Sequence, residues 1–176
     1  MPAKKPHVKP FLKIEPLARK HNRAAFCCGH EELDRYIKER ASQDARKQIS
    51  TPFVLVESGD STVICYYTLS ATSILLADLP EETAKKLPGY PAVPATLLGR
   101  LAVDDRHKGR GYGELLLLHA LRRALHATTD VASFAIIVEP KDKKSRAFYA
   151  HYEFIPFADE KRRMYLPMKT NADLFA

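Results

Sequence analysis

Cysteine is scarce, with three residues in 176, and two of them, Cys27 and Cys28, are adjacent. An odd count with that spacing excludes a disulfide framework and fits a reducing compartment. Zinc is excluded too: Cys27-Cys28-Gly29-His30 has C-x-x-H spacing, but no second ligand pair follows, so no metal is expected and the segment reads as a packed loop before a helix. No apolar run approaches the roughly 18 residues of a membrane span, and no signal-peptide core is found at the start. The protein is therefore expected to be cytoplasmic, with no membrane partner. Internal repeats are missing, and compositional bias is confined to a basic N-terminal tail over residues 1–10, expected to be flexible.

What remains is an ordinary globular composition, 45% apolar, enough for one core and a single domain over residues 11–170. The formal net charge is +7. Basic side chains gather at Lys4, Lys5, Lys9 and Lys13, at Arg19, Lys20 and Arg23, at Lys141, Lys143, Lys144 and Arg146, and at Lys161, Arg162 and Arg163. Such a field favours a polyanionic partner, RNA among the options, although a well-solvated surface has the same composition.

The most specific stretch is Arg106-His107-Lys108-Gly109-Arg110-Gly111-Tyr112-Gly113, which follows the apolar run from Ala95 to Val103 and opens into a leucine-rich helix. A strand, a glycine-rich basic turn and a helix start place free N–H groups at the positive end of a helix dipole, an arrangement that binds phosphate. A dinucleotide fingerprint needs G-x-G-x-x-G, and Glu114 stands where its third glycine belongs. A P-loop needs a Lys-Ser/Thr pair after the glycines, and there is none. R-x-x-G-x-G, read as Arg106, Gly109 and Gly111, fits. The plain alternative is a turn that only joins strand to helix.

Periodicity predicts strands at Phe11–Leu17, Phe53–Ser58, Ser61–Ser70, Leu97–Val103, Val131–Val138, Phe154–Phe157 and Met164–Met168. Gly59-Asp60 reads as a two-residue hairpin turn, and Leu97–Val103 as a strand buried on both faces. Helices are expected at Gly29–Ala41, Gln43–Gln48, Leu79–Leu87, after the glycine loop, and at Lys143–His151, with Pro88–Pro94 a loop. On the post-loop helix, Leu117, Leu118, Leu121, Ala124 and Leu125 form the apolar stripe, with His119, Arg123 and His126 opposite. Hairpin and crossover connections together predict an α/β fold of the α+β type with a mixed sheet. His107, His119, His126 and His151 are scattered and read as surface or satisfied histidines.

Ser145-Arg146-Ala147-Phe148-Tyr149-Ala150-His151-Tyr152-Glu153-Phe154 resembles the A-x-x-F-Y-x-x-x-G-F segment of GNAT acetyltransferases, and the glycine loop resembles their acyl-CoA pyrophosphate loop. The departures are Ser145 for alanine and Glu153 for glycine, the second expected to alter the helix end. The resemblance implies the GNAT acyl-CoA N-acyltransferase fold and acetyl-CoA as co-substrate. It implies a cofactor site of Leu101, Ala102 and Val103 at a splayed strand, Arg106, Lys108, Gly109, Arg110, Gly111, Tyr112 and Gly113 in the loop, and Ser145 and Phe148. It makes Tyr149 the catalytic acid: a phenol with a pKa near 10 is protonated at neutral pH and can donate to a departing thiolate. By helical pattern alone Tyr149 is a half-buried aromatic, and Tyr152, turned about 60° away, competes for the role.

No strong general base is evident among Asp104, Asp105, Glu114 and Glu139. A lysine ε-amine needs such help, whereas an α-amine, with a pKa of about 7.7–8.0, is already roughly a tenth free at pH 7. Phe26–Tyr36, Tyr66–Ser70, Gly99–Asp104, Phe148-Tyr149 and Ile155–Phe157 are together similar to the GNAT toxins of type II toxin–antitoxin modules. That likeness implies acetylation of aminoacyl-tRNA, arrest of translation, a ribbon-helix-helix antitoxin that binds operator DNA in the complex, and a homodimer. The alternatives are acetylation of a small amine or a protein N-terminus, or a non-catalytic CoA- or RNA-binding module.

Overall fold

A computed structural model of the chain describes residues 10–158 and 162–176. Most of the expected N-terminal tail, and Lys161, lie outside the described residues.

Seven strands form one sheet in the order β1-β2-β3-β4-β5-β7-β6. They are β1 (Leu12–Pro16), β2 (Thr51–Glu57), β3 (Cys65–Leu75), β4 (Ala92–Val103), β5 (Ala135–Val138), β6 (Ile155–Pro156) and β7 (Met164–Pro167). β4 and β5 pair in parallel, joined by a helical crossover, and the other neighbours are antiparallel. The sheet is mixed, as the connection pattern predicted.

Both faces of the sheet are covered, and the strands alternate accordingly. Phe53 and Leu55 of β2 point into a cluster with Leu116, Leu117 and Leu121, while Val54 and Val56 join Phe26, Leu33 and Ile37 on the other face. The first face carries α4 (Tyr112–Ala127) and the last helix α6 (Met168–Asp173); the second carries α1 (Glu31–Arg35) and α2 (Ala41–Arg46). A π-helical turn, Tyr36–Arg40, joins α1 to α2 without a break. The two expected helices are thus one continuous helical stretch that contains a π-helical turn. The short α3 (Glu81–Lys85) starts after Pro80, and α5 (Lys143–His151) has the expected bounds.

Several expectations are corrected. Gly59 turns the chain with φ 82°, but residues 58–64 separate the strands, because Asn22 inserts and bonds with Ser61 and Val63 at 2.8 and 3.0 Å. β4 begins at Ala92 inside the expected loop, and its second half is only partly buried, because β5 stops short beside it. The buried stripe of α4 is Leu116, Leu117, Ala120, Leu121 and Ala124. It is rotated from the expected stripe because α6, for which no helix was expected, packs on its flank. Asn171 of α6 donates to the Leu121 carbonyl at 2.9 Å. His119 belongs to the packed side, with Nδ1 2.8 Å from the Tyr67 hydroxyl, and burial lowers its pKa.

Candidate active site

The sheet opens where the site lies. Pairing between β4 and β5 ends at Leu98↔Val138, yet β4 continues to Val103. On its other edge the register with β3 shifts between Thr68 and Leu69, leaving Gly99 as the extra residue of a bulge. A Cβ at Gly99 would lie 3.2 Å from Thr68 Oγ1, so glycine lets the strands stay close at the bend.

Beyond Leu98 the unpaired edge of β4 faces a cavity of about 570 Å³. Leu101, Ala102 and Val103 form one wall, Ser145, Phe148 and His151 of α5 with Tyr152 just after it another, and Cys28, His30 and Leu33 a third. The floor is Lys108, Gly109, Gly111, Tyr112 and Gly113. Gly109 and Gly111 have φ of 78° and 79°, conformations that other residues adopt only with strain. Gly111 is the N-cap of the 16-residue α4 and provides no capping side chain. The first N–H groups of α4 are therefore free to bond an anion in the cavity.

Two basic residues of the motif lie elsewhere. Arg106 bonds back to Asp104, Nε to Oδ1 at 2.8 Å and Nη2 to Oδ2 at 3.2 Å, and does not line the cavity. Arg110 is exposed outside it. Lys108 is the loop cation on the floor, with Nζ 2.7 Å from the Cys28 carbonyl and 2.7 Å from Asp105 Oδ1. Asp104, a candidate base by sequence, is buried. Burial pushes its carboxyl up, but the Arg106 side chain and the N–H groups of Cys27 and Arg106 outweigh that and hold it at about 2. It is a structural anion that ties the loop before α1 to the glycine loop.

α5 is fixed at both ends. Asp142 and Ser145 form a reciprocal capping box, Ser145 N–H to Asp142 Oδ1 at 2.7 Å and Asp142 N–H to Ser145 Oγ at 3.1 Å. At the other end Glu153 has φ 68°, and its N–H and that of Phe154 return to the carbonyls of Ala150 and Tyr149 at 3.1 and 3.2 Å. This is a Schellman ending. Glu153 adopts the left-handed conformation that favours glycine and the helix still closes on these two bonds, so the expected alteration of the helix end is not seen.

Tyr149 lines a smaller cavity of about 40 Å³ at the opening between β4 and β5, with Leu98, Gly99, Leu101, Glu139 and Ser145. That cavity shares Leu33, Leu101 and Ser145 with the larger one. Burial pushes the Tyr149 phenol above its ordinary value, so it stays a proton donor across neutral pH. Tyr152 stands in the larger cavity, its phenol raised by burial and by the Glu114 carboxylate. Sequence reasoning missed Cys28, His30 and Leu33 as lining residues, because they come from a distant segment that no local spacing marks; it also missed Lys144, next to Ser145. His30 reaches Asp142 at 3.4 Å and Lys141 reaches Glu32 at 3.2 Å, linking the start of α1 to the start of α5 beside the cavity. Burial raises the Cys28 thiol to about 12.

The model of the Acetyltransferase (GNAT) family matches residues 19–154. The chain belongs to the GNAT family. It is an acetyltransferase, with acetyl-CoA as co-substrate. It is 33% identical over 166 residues to a probable toxin TacT of Sinorhizobium fredii, covering 89% of this chain and 91% of the relative. It is 35% identical over 130 residues to a tRNA-acetylating toxin of Mycobacterium tuberculosis, covering 74% and 76%. Among solved GNAT structures, a tyrosine-to-phenylalanine mutant of KacT superposes with a TM-score of 0.88 at 32% identity, covering 93% of this chain and 99% of that one. AtaT complexed with acetyl-methionyl-tRNAfMet superposes with a TM-score of 0.87 at 29% identity, covering 94% and 100%.

Proposed function

We propose that this GNAT protein moves the acetyl group of acetyl-CoA to the α-amino group of aminoacyl-tRNA and so blocks translation, as the toxin of a type II toxin–antitoxin pair in the cytoplasm. The observation that carries the reading is a donor cavity along the unpaired edge of β4, beside a smaller cavity lined by the buried, protonated Tyr149. The relatives named tRNA-acetylating toxin and AtaT with acetyl-methionyl-tRNA support the acceptor, as does the net charge of +7.

In this reading the first amides of α4, with Gly109, Gly111 and Lys108, hold the diphosphate. Leu101, Ala102, Val103, Ser145 and Phe148 line the pantetheine arm, and free amides of β4 polarise the thioester carbonyl. The neutral amine nitrogen attacks the carbonyl carbon, the C–S bond breaks, and the thiolate takes the Tyr149 proton. The new amide's surplus proton passes to water, and Tyr149 regains one from solvent. Arg106 and Arg110 serve the loop and the surface rather than the diphosphate. A ribbon-helix-helix antitoxin, operator DNA bound through the complex, and a homodimer complete the proposal; solved neighbours include AtaTR with AcCoA and a KacTA–DNA complex.

The test is incubation with labelled acetyl-CoA and charged total tRNA, followed by nuclease digestion. Label on N-acetyl-aminoacyl-adenosine is the expected result. Label confined to free amines or protein N-termini would overturn the acceptor assignment.

A further inference from the structure

β3 is longer than the strand beside it. β2 begins at Thr51, opposite Leu69, so Ser70 to Leu75 pair with β4 alone and the other edge of β3 is left without a strand. Pro94 shows which way the backbone groups face. Its carbonyl accepts the Phe134 N–H at 2.8 Å on the β5 side, and so points away from β3. Ser73 is opposite Pro94, and in a non-hydrogen-bonded antiparallel pair the N–H and C=O of both residues face outward. Ser73 therefore presents its N–H and C=O to the open edge, and Ala71, one strand period earlier, does the same. Among the described residues, no hydrogen bond from another segment reaches either of them on that edge.

An open edge usually carries lysine, proline or a bulge that stops another strand from adding to it. Ser70-Ala71-Thr72-Ser73-Ile74-Leu75 has none of these, and the bulge of this strand pair lies before it. Ala71 and Ser73 are exposed. Leu75 and Tyr90, 54% and 66% exposed, add apolar surface at the end of the hairpin.

Charge selects the occupant. From Gln48 to Ala84 the chain has no Lys or Arg but holds Glu57, Asp60, Asp78, Glu81 and Glu82, although its net charge is +7. RNA or an acidic peptide is drawn instead to the basic surface. Two copies of so basic a chain repel each other least where the contact comes from this stretch.

We propose that the open edge of β3 pairs with the same edge of a second copy, antiparallel about a two-fold axis at Thr72. The contact is isologous: Ala71 of each copy exchanges hydrogen bonds with Ser73 of the other, and the two sheets become one. It deepens the homodimer of the proposed function and rests on that part of the reading alone, because the donor cavity follows Leu101 to Val103, beyond the Gly99 bulge.

Sedimentation equilibrium over a concentration series should give wild type the mass of a dimer. Ser73→Pro removes a donor that no bond within the chain uses, and should weaken the dimer about tenfold or more, the order of two lost hydrogen bonds. Ser73→Lys brings a cation to the axis from each copy and should weaken it likewise. Both variants should bind acetyl-CoA as wild type does, which reports an intact fold. Thr72 would face its own counterpart with Cα atoms roughly 4.5 Å apart, within disulfide reach. In a Cys27→Ser background, Thr72→Cys should therefore cross-link two copies on oxidation. A monomeric wild type overturns this inference together with the homodimer. A dimer that keeps its affinity in both Ser73 variants and does not cross-link through Thr72→Cys overturns this inference alone. The acceptor assignment is decided separately, by the incubation with labelled acetyl-CoA and charged tRNA.

Discussion

Phe154 anchors Tyr149 twice, its N–H donating to the Tyr149 carbonyl at 3.2 Å and its ring meeting the phenol ring edge-on with centroids 5.3 Å apart. The pair is the hydrogen bond and apolar contact of a Schellman ending, and it passes through Glu153 at φ 68°. Glu153→Gly should therefore stabilise the protein by about 0.5–1 kcal/mol, once the larger backbone entropy of unfolded glycine is offset. That is a rise in Tm of roughly 2–3 °C by calorimetry. Phe154→Ala should cost about 3–5 kcal/mol and lower kcat through a displaced Tyr149. A Glu153→Gly protein that melts lower would show that the left-handed residue carries no strain.

Tyr149 and Tyr152 are both phenols near the donor cavity, and their burial separates them. Tyr149→Phe should reduce kcat by about 10²–10⁴-fold, the usual contribution of a general acid, with KM for acetyl-CoA and Tm nearly unchanged. Tyr152→Phe should leave kcat within a few-fold. Because burial raises the Tyr149 pKa, the alkaline limb of kcat from this group should fall above pH 10, not below it. Near-wild-type turnover in Tyr149→Phe, measured by thiol release, would remove the phenol from the reaction.

Much of this was legible in the sequence. Strand patterning gave the mixed sheet, and Gly109, Gly111 and the leucine-rich run located the glycine turn that opens α4 beside the cavity, because both signals are local. What was not legible depends on distant chain segments. Arg106 looks equivalent to Lys108 in the motif, and only the buried carboxylate of Asp104, also holding the Cys27 N–H at 3.1 Å, turns it away. Arg100 appears as one basic residue in an apolar strand, and its stacking depends on Tyr36, 64 positions earlier in the chain. α6 carries no strong periodicity, so its packing on α4 displaced the predicted stripe.

The two glycines that flank the start of α4 should respond in opposite ways. At Gly111, φ 79° makes alanine strained by about 1–2 kcal/mol, although the space is open. Gly111→Ala should melt lower and raise KM for acetyl-CoA. Gly113 is helical, and its added Cβ would meet Val103 Cγ2 at an ordinary 3.9 Å. Gly113→Ala should gain up to about 1 kcal/mol from helix propensity. Equal melting shifts in the two variants would contradict the assigned backbone.

Asp104 should show itself at low pH. Its folded pKa of about 2 is below the ordinary 3.8, so its stabilisation is full above the ordinary value and is lost as pH falls through about 2. Asp104→Asn should be less stable than wild type at pH 7, with the gap closing toward pH 2–3 in urea titrations. Its KM for acetyl-CoA should rise, since the carboxylate joins the loop of Cys27 to the loop of Lys108. A stability gap independent of pH would assign the loss to packing instead.

Salt separates the two substrates of the proposed reaction. In that reaction acetyl-CoA would be a small anion held largely by backbone amides, whereas tRNA would bind through several phosphates against a chain of net charge +7. Three duplex phosphate contacts alone predict roughly 40-fold weaker binding between 50 and 200 mM salt, from a slope of about −0.9 per contact. KM for aminoacyl-tRNA should rise by at least that factor over this range, while KM for acetyl-CoA changes only a few-fold. A flat response for aminoacyl-tRNA would mean that the basic surface takes no part in holding it, and the acceptor would then have to be recognised at the amino acid alone.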